Sequence, residues 1–414
     1  MVVEPTKVKT ILLLSARYPW PLIGGDRVKM YYMLSHLAKQ HRVILVAFSH
    51  GKAATAEQIE QIEKLGVEVH PITLNPVMAG LASIRSLWTK LPLEVAFYTR
   101  PAFQRKVDAI LQTEHIDVAI AFFMRTAEYV RNKSSLRKIL IAEDCRVVYQ
   151  KRSAKSVKSP VQKLVRWWEL FKLRPYERDI VGDFETTTLV SKQDLVAMKS
   201  ANPTARYAVV TNGVNIERYA YQDNQHERHG LLFAGKLDVQ SNHLIAMTIV
   251  RDIMPKVLKE MPEVKISIVG AKPKPELLKF RSVSCTISEN VPDMVPYLQR
   301  AAVFVHPHLG GSGIQNKVLE AMAAGCVVVT STTGLQGINA IHNVHCLVGT
   351  NNEEISQYIV QLLNDPPLRK RLARAARKLI EDEHQWAHVG KQLDTVLQDN
   401  KEPVITRAHE GALS

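Results

Sequence analysis

One stretch constrains this chain more than any other: residues 301–330, AAVFVHPHLGGSGIQNKVLEAMAAGCVVVT. It reads as strand, glycine loop, helix and strand. Val303 to His306 is a short β-branched and aromatic run that stops at Pro307, a residue with no N–H for a ladder. Gly310, Gly311 and Gly313 make a loop whose backbone can approach a ligand closely. Ser312 is placed as the N-cap of a helix whose buried face carries Ile314, Val318, Leu319 and Met322. Gly325 ends that helix, and Cys326 to Val329 is the next buried strand. Helical side chains lean toward the N-terminus, so Lys317 aims its ammonium at the loop. A cation there opposes the macrodipole unless an anion is shared between them. Free N–H groups, glycines and a lysine converging on one spot describe a phosphate site. Glu320, one turn on, is placed to accept hydroxyl bonds from a ribose. The competing reading is a solvated Lys317–Glu320 pair at i, i+3, worth little, which leaves the glycine loop without a role.

The chain around this stretch is long enough for two cores: 414 residues, 46% of them hydrophobic. No apolar run reaches the length of a membrane span, and MVVEPTKVKT lacks the apolar centre of a signal peptide. Cys145, Cys285, Cys326 and Cys346 are widely spaced with no CxxC, and read as reduced core thiols of a cytoplasmic protein. A net charge of +14 points to an anionic partner: nucleotide, membrane surface or nucleic acid. Nucleic acid is set aside, because no recognition motif accompanies the charge.

In chain order, strands are expected at Val8 to Ser15, Arg42 to Phe48, Val67 to Ile72, Val118 to Phe122, Lys138 to Ala142 and Thr187 to Val190. A helix from Val28 to Ala38 joins the first two, a βαβ opening that predicts a parallel sheet. Gly24 and Gly25 follow the first strand, where a ligand approaches the C-terminal sheet edge or the chain simply turns. The region between 75 and 115 shows no clear period. Residues 151 to 181 read as one long basic and aromatic helix, and Ser191 caps a further helix. Thr211-Asn212-Gly213-Val214 is a turn, and Gln222 to His229 is the expected linker. The alternation then restarts with strands at Leu231 to Ala234, Val264 to Val269, Val283 to Ile287, Val303 to His306 and Cys326 to Val329. Helices are expected at Leu244 to Lys259, Glu353 to Leu363, Leu368 to Asp382 and Trp386 to Leu397, with a disordered tail from Asn400.

Taken in order, GG-x-R near the start, TNGV at the junction, FxGxLD opening the second sheet and GxGxxNKVLEAMAxGxxVV resemble one family. They are similar to the retaining, nucleotide-sugar-dependent glycosyltransferases of GT-B fold, family four, in the branch with a GIQNKVLEAMA-type helix. The resemblance covers residues 8–50 and 187–347 well and the middle poorly. It implies an α/β chain of two Rossmann-like, doubly wound domains facing across a cleft. The acceptor-side domain would be 1–212, joined by a returning helix at 384–400, and the donor domain 213–383, with 401–414 as tail.

By position, the resemblance implies that Glu320 holds the donor ribose, Lys236 the donor diphosphate, and Gly24 with Gly25 the loop over the donor phosphates. Gly311, Ser312, Gly313, Ile314, Asn316 and His308, with Asn212 and Gly213, complete the expected donor set. Three departures stand out. Ser312 occupies the position of the family's first glutamate. Ser241, with Asn242 next, falls where a second cation is expected. The family's first-domain histidine has no match in Ala119-Ile120-Ala121-Phe122-Phe123. Lys317 is the candidate for the missing cation.

The chemistry requires no side-chain nucleophile: fixed positive charge and helix N–H groups stabilise a departing nucleoside diphosphate. Lys236, Lys317 and Glu320 are the expected catalytic residues. Arg17, Arg27, Arg125 and Asp144 are acceptor-side candidates, Asp144 equally a helix cap; His306 reads as a core histidine. No Asp-x-Asp pair is present, so no metal and no cofactor are expected, with a UDP- or GDP-sugar as substrate. The acceptor would be a glycan, a lipid-linked molecule or a small molecule. The basic residues from Lys151 to Arg178, interleaved with Trp167, Trp168 and Phe171, suit an anionic membrane at the inner face, or a helix packed on its own domain. Another GT-B enzyme (an epimerase, or a phosphorylase with lysine-bound pyridoxal phosphate) and a non-catalytic nucleotide-binding protein remain as alternatives.

Overall fold

The computed structural model describes residues 8–155, 159–308, 310 and 313–398. The expected loop residues Gly311 and Ser312, and the tail from Asn400, lie outside the described residues. The chain forms two compact units, divided at Val210/Thr211 and again at Val389/Gly390.

The first unit is built on seven parallel strands: β1 Thr10–Ser15, β2 Arg42–His50, β3 Val67–Leu74, β4 Val118–Phe122, β5 Lys138–Glu143, β6 Thr186–Leu189 and β7 Tyr207–Val209. Their order is β3-β2-β1-β4-β5-β6-β7. β1, β4 and β5 are apolar because helices cover both faces of a parallel sheet. Helix Gly25–Leu37 buries Met30, Met33, Leu34 and Leu37 against it. From helix Trp386–Leu397, Asp394 bonds His36 at 2.8 Å within this unit.

The second unit carries six parallel strands: β8 Leu231–Ala234, β9 Ile266–Val269, β10 Cys285–Ser288, β11 Val303–His306, β12 Val327–Thr330 and β13 Leu347–Val348, in the order β10-β9-β8-β11-β12-β13. Its core joins Phe233, Ile268, Val305 and Val329 to the helices Asn352–Asn364 and Pro366–Glu383. The expected helix at Leu244 to Lys259 begins at Gln240. It contains a wider π-type turn at Ile249–Ile253, just before Pro255, whose missing N–H a regular helix could not use.

Several expectations are corrected. Residues 151–181 are not one helix but parts of two, Arg146–Lys155 and Pro160–Ile180. Pro160 opens the second at a position where a missing N–H costs nothing, and it disfavours helix in the residue before it. Gln222 to His229 is not the linker. Gln225 and Arg228 are buried in the second unit, donating to the carbonyls of Gly325, Leu298 and Ala324. The unreadable region holds helices Pro76–Ile84, Leu93–Tyr98 and Pro101–Thr113, with a 3-10 turn at Arg85–Trp88. Helix Asn316–Ala323 has Gln315 at its N-cap, so Ser312 does not cap it, and Ile314 is buried ahead of the helix rather than on it.

Candidate active site

In the second sheet the chain turns one way after β8 and the other way after β11, which leaves a crevice at their C-terminal ends. Gly235 and Lys236 leave β8 at that point, Pro307 and His308 leave β11, and helix Asn316–Ala323 carries the chain on to β12. The helix therefore points free N–H groups into the crevice.

Lys317 and Glu320 sit one turn apart on this helix. Neither is sealed from solvent, yet protein crowds both. Burial pushes the Lys317 ammonium down to about 8, with Glu320 pulling the other way. Burial pushes the Glu320 carboxyl up to about 7, against Tyr219, Lys317 and Arg218. These two groups do not neutralise each other through a close ion pair. Lys317 donates to the Asn242 side-chain oxygen and lies 5.7 Å from the centre of the Phe233 ring. The Asn242 amide in turn donates to the Lys236 carbonyl at 3.0 Å, tying the lysine to the β8 loop. Glu320 accepts from the Tyr219 hydroxyl, whose own pKa is driven up by burial and by that carboxylate. A cation held by one neutral amide and a carboxylate held by one phenol both keep capacity for a ligand.

The remaining donor-set residues divide. Asn212 donates to the Asn316 side chain at 2.8 Å, and its own side-chain oxygen is buried without a protein partner among the described residues. Gly213 has a packing reason: a Cβ there would come within 2.6 Å of the Trp386 ring. Lys236 is exposed and lies 3.6 Å from Asp238, so its ammonium is free to swing. Gly313 has φ +72°, a backbone that L side chains rarely adopt. His308 is buried and stacks on His306 at 5.2 Å. His306 is fully buried, stacked on Phe233 and Phe304, and burial holds it well below the usual histidine range, so it is a neutral core imidazole. Tyr219 was missed by sequence reasoning. It follows the turn capped by Asn215, and nothing local marks it as a partner of Glu320.

The first unit has its own crevice, between β1 and β4, where the strand order also reverses. Arg17, Arg27 and Arg125 line one pocket there together with Asp26. Arg17 pairs with Asp26 at 3.0 Å. Arg125 is 3.7 Å from Glu94 and lies over the Phe123 and Tyr98 rings. Phe123 and Glu143, at the ends of β4 and β5, both have positive φ, strain that marks this edge. Asp144 does not line the pocket; it lies 3.8 Å from Arg146. Gly24, with φ +102°, and Gly25 form the exposed start of helix Gly25–Leu37 in this unit.

The model of the family "Glycosyl transferases group 1" matches residues 228–365. The chain is 21% identical, over 90% of its length and 96% of the relative's, to a 44.6 kDa protein of the cps region of Klebsiella pneumoniae. It is 26% identical to the GDP-mannose-dependent monoacylated alpha-(1-6)-phosphatidylinositol monomannoside mannosyltransferase of Corynebacterium glutamicum, over 56% of this chain and 67% of that one. Among solved structures, sucrose-phosphate synthase of Thermosynechococcus elongatus matches with TM-score 0.71 and 14% identity, over 94% of this chain and 98% of that chain. Anabaena HepE in complex with UDP-glucose matches with TM-score 0.63 and 13% identity, over 94% and 99%. The structural likenesses share the fold of two Rossmann-like units. With the family match, which covers the third of the chain that carries Lys236, Lys317 and Glu320, they support a glycosyltransferase of GT-B fold and of the group 1, family-four type.

Proposed function

We propose that this enzyme transfers a hexose from a UDP- or GDP-sugar to an acceptor hydroxyl with retention of configuration. The observation that carries the reading is the pair of half-committed charges, Lys317 on Asn242 and Glu320 on Tyr219, at the helix start in the β8/β11 crevice. Glu320 accepts the ribose hydroxyls. Lys317, Lys236 and the N–H groups of helix Asn316–Ala323 surround the diphosphate. The bond from the sugar C1 to the phosphate oxygen breaks, and its electron pair leaves with the diphosphate. The acceptor oxygen forms the new bond to C1, and its proton passes to the departing phosphate oxygen. Fixed cations at that oxygen lower the barrier because they need not reorganise as charge develops. A GDP-sugar is used by the Corynebacterium glutamicum relative, and UDP-glucose is bound in the Anabaena structure; a thermal-shift panel of both classes identifies the donor by its raised midpoint.

Retention is read by NMR of the product anomer, and an inverted product would overturn it. Because two lysines supply the positive charge, transfer should survive EDTA; complete loss that added metal restores would reject that part.

The same reading places the enzyme at an anionic membrane face. No helix among the described residues is long and apolar enough to cross a membrane. Helix Pro160–Ile180 exposes Trp167 and Phe171 beside Lys163 and Arg166. Each Lys or Arg near such a surface contributes on the order of 1 kcal/mol. Flotation with liposomes should rise with anionic lipid content, fall with salt, and weaken in Lys163→Glu combined with Arg166→Glu. Indifference of the wild type to anionic liposomes at low salt rejects the placement.

A further inference from the structure

The first unit's crevice has two parts that share two residues. Its head is the pocket of Arg17, Arg27 and Arg125, three guanidiniums against the single carboxylate of Asp26. The three arginines also converge on His50. Burial lowers its pKa first, and each arginine then lowers it further against a bond to the Ala16 carbonyl. Their charge is only partly spent inside the protein. Arg17 holds Asp26, and Arg125 has a distant share of Glu94, which Arg146 takes at 2.7 Å. Arg27 bonds the Pro21 carbonyl at 3.5 Å and makes no ion pair among the described residues. A wall with such an excess selects an anion.

From Arg17 and Arg125 an open groove continues between helices Pro76–Ile84 and Leu93–Tyr98, past Gly80, Ser83, Leu93, Phe97 and Tyr98, with the Glu94 carboxylate, held by Arg146 at 2.7 Å, also on its wall. The outer side of that groove is apolar in a way a water-facing helix is not. Val77, Met78, Leu81, Ile84, Leu87 and Trp88 are exposed, Trp88 by 79%. Helix Pro160–Ile180 stands directly beside this segment. The Lys172 ammonium donates to the Ser86 and Thr89 carbonyls, and the Glu169 carboxylate accepts from the Leu93 and Glu94 N–H groups. It adds exposed Val161, Leu164, Val165, Trp167 and Phe171. Among the described residues, these two short segments hold eleven of the eighteen exposed large apolar side chains, a clustering that scattered surface residues do not produce. No acidic residue occurs from 76 to 92 or from 160 to 168.

We propose that this crevice takes an anionic lipid as the acceptor. A phosphate head sits where the groove meets the pocket, against Arg17 and Arg125 with Arg27 behind them, and the hydrocarbon chain leaves through the groove at Gly80 toward the exposed apolar segments. Calling the occupant the acceptor rests on the glycosyltransferase reading; the lipid site itself does not. The charge at one end and the apolar exit at the other match an amphiphile better than a free sugar phosphate, which would use the head alone. They also explain why an exposed tryptophan and a run of exposed aliphatic residues flank an otherwise polar pocket.

The test uses the full chain and two probes in calorimetry: glycerol phosphate, and dihexanoyl phosphatidic acid below its micelle concentration. The lipid should bind tighter by about tenfold or more, since its short chains add apolar contact that the head lacks. Gly80→Leu is the diagnostic variant. A Cβ at Gly80 meets nothing within 4 Å, so leucine fits the fold while filling the groove. It should erase the lipid's advantage and leave glycerol phosphate unchanged, whereas Arg27→Gln should weaken both. Binding of UDP and GDP, measured in the same proteins, reports on the second unit; its absence would sink the donor reading and leave this one standing. Equal affinity for the two probes, or a lipid advantage that survives Gly80→Leu, overturns the proposal. So does displacement of glycerol phosphate by UDP, which would assign the arginines to the donor's diphosphate.

Discussion

Replacing Lys317 with methionine is expected to lower kcat by about a hundredfold to a thousandfold, the usual loss when one fixed group facing developing negative charge is removed. Methionine keeps a flexible apolar stem of similar length and deletes the ammonium that lies 5.7 Å from the centre of the Phe233 ring. Because burial already disfavours that ammonium, the variant's thermal midpoint should stay level or rise, while turnover collapses. A folded Lys317→Met enzyme that keeps wild-type kcat would remove the lysine from the chemistry and leave Lys236 and the helix N–H groups to carry it.

The second large effect falls on donor affinity. Glu320→Gln exchanges a carboxylate acceptor for a neutral amide that can still accept from Tyr219, so the local fold is kept. Hydrogen bonds to charged groups contribute about 1.5–3 kcal/mol, which predicts roughly a tenfold to hundredfold weaker donor by calorimetry. Unchanged affinity in a folded variant would place the ribose elsewhere. The pH dependence adds a sign. Glu320, raised to about 7, loses its charge as pH falls through that value, and Lys317, lowered to about 8, loses its charge as pH rises through that one. Donor affinity should therefore peak between these values, and Glu320→Gln should flatten the acid limb while leaving the alkaline one. A wild-type affinity that stays level from pH 6 to about 9 would contradict both assignments.

Much of this protein is legible locally because a parallel sheet covered on both faces needs continuous apolar strands. Val118–Phe122 is five buried residues in a row, and its expected bounds match the structure. The same holds for helix Trp386–Leu397 and for Ser191, which accepts from the Asp194 N–H as an N-cap. Two regions defeated the same rules. Residues 76–98 break into short helices at Pro76 and Pro92 and turn apolar side chains outward, so neither period nor burial follows amphipathicity. Residues 222–229 look like a linker by polarity, yet Arg228 is buried because carbonyls some 70 and 96 residues away satisfy it.

The sequence by itself determined the alternation of strand and helix, the glycine-loop helix with Lys317 and Glu320 a turn apart, and the basic, metal-motif-free character of the chain. These depend on neighbours within one or two turns, where spacing is geometry. Only the tertiary structure decided which partners hold those charges. Asn242 lies 75 residues from Lys317, and Tyr219 lies farther from Glu320, so their meeting depends on how β8 and β11 are laid side by side. Tertiary packing also turned three scattered arginines and an unreadable apolar segment into one pocket and its exit. Strand order brings such groups together, and strand order is a property of the whole sheet that no local window contains.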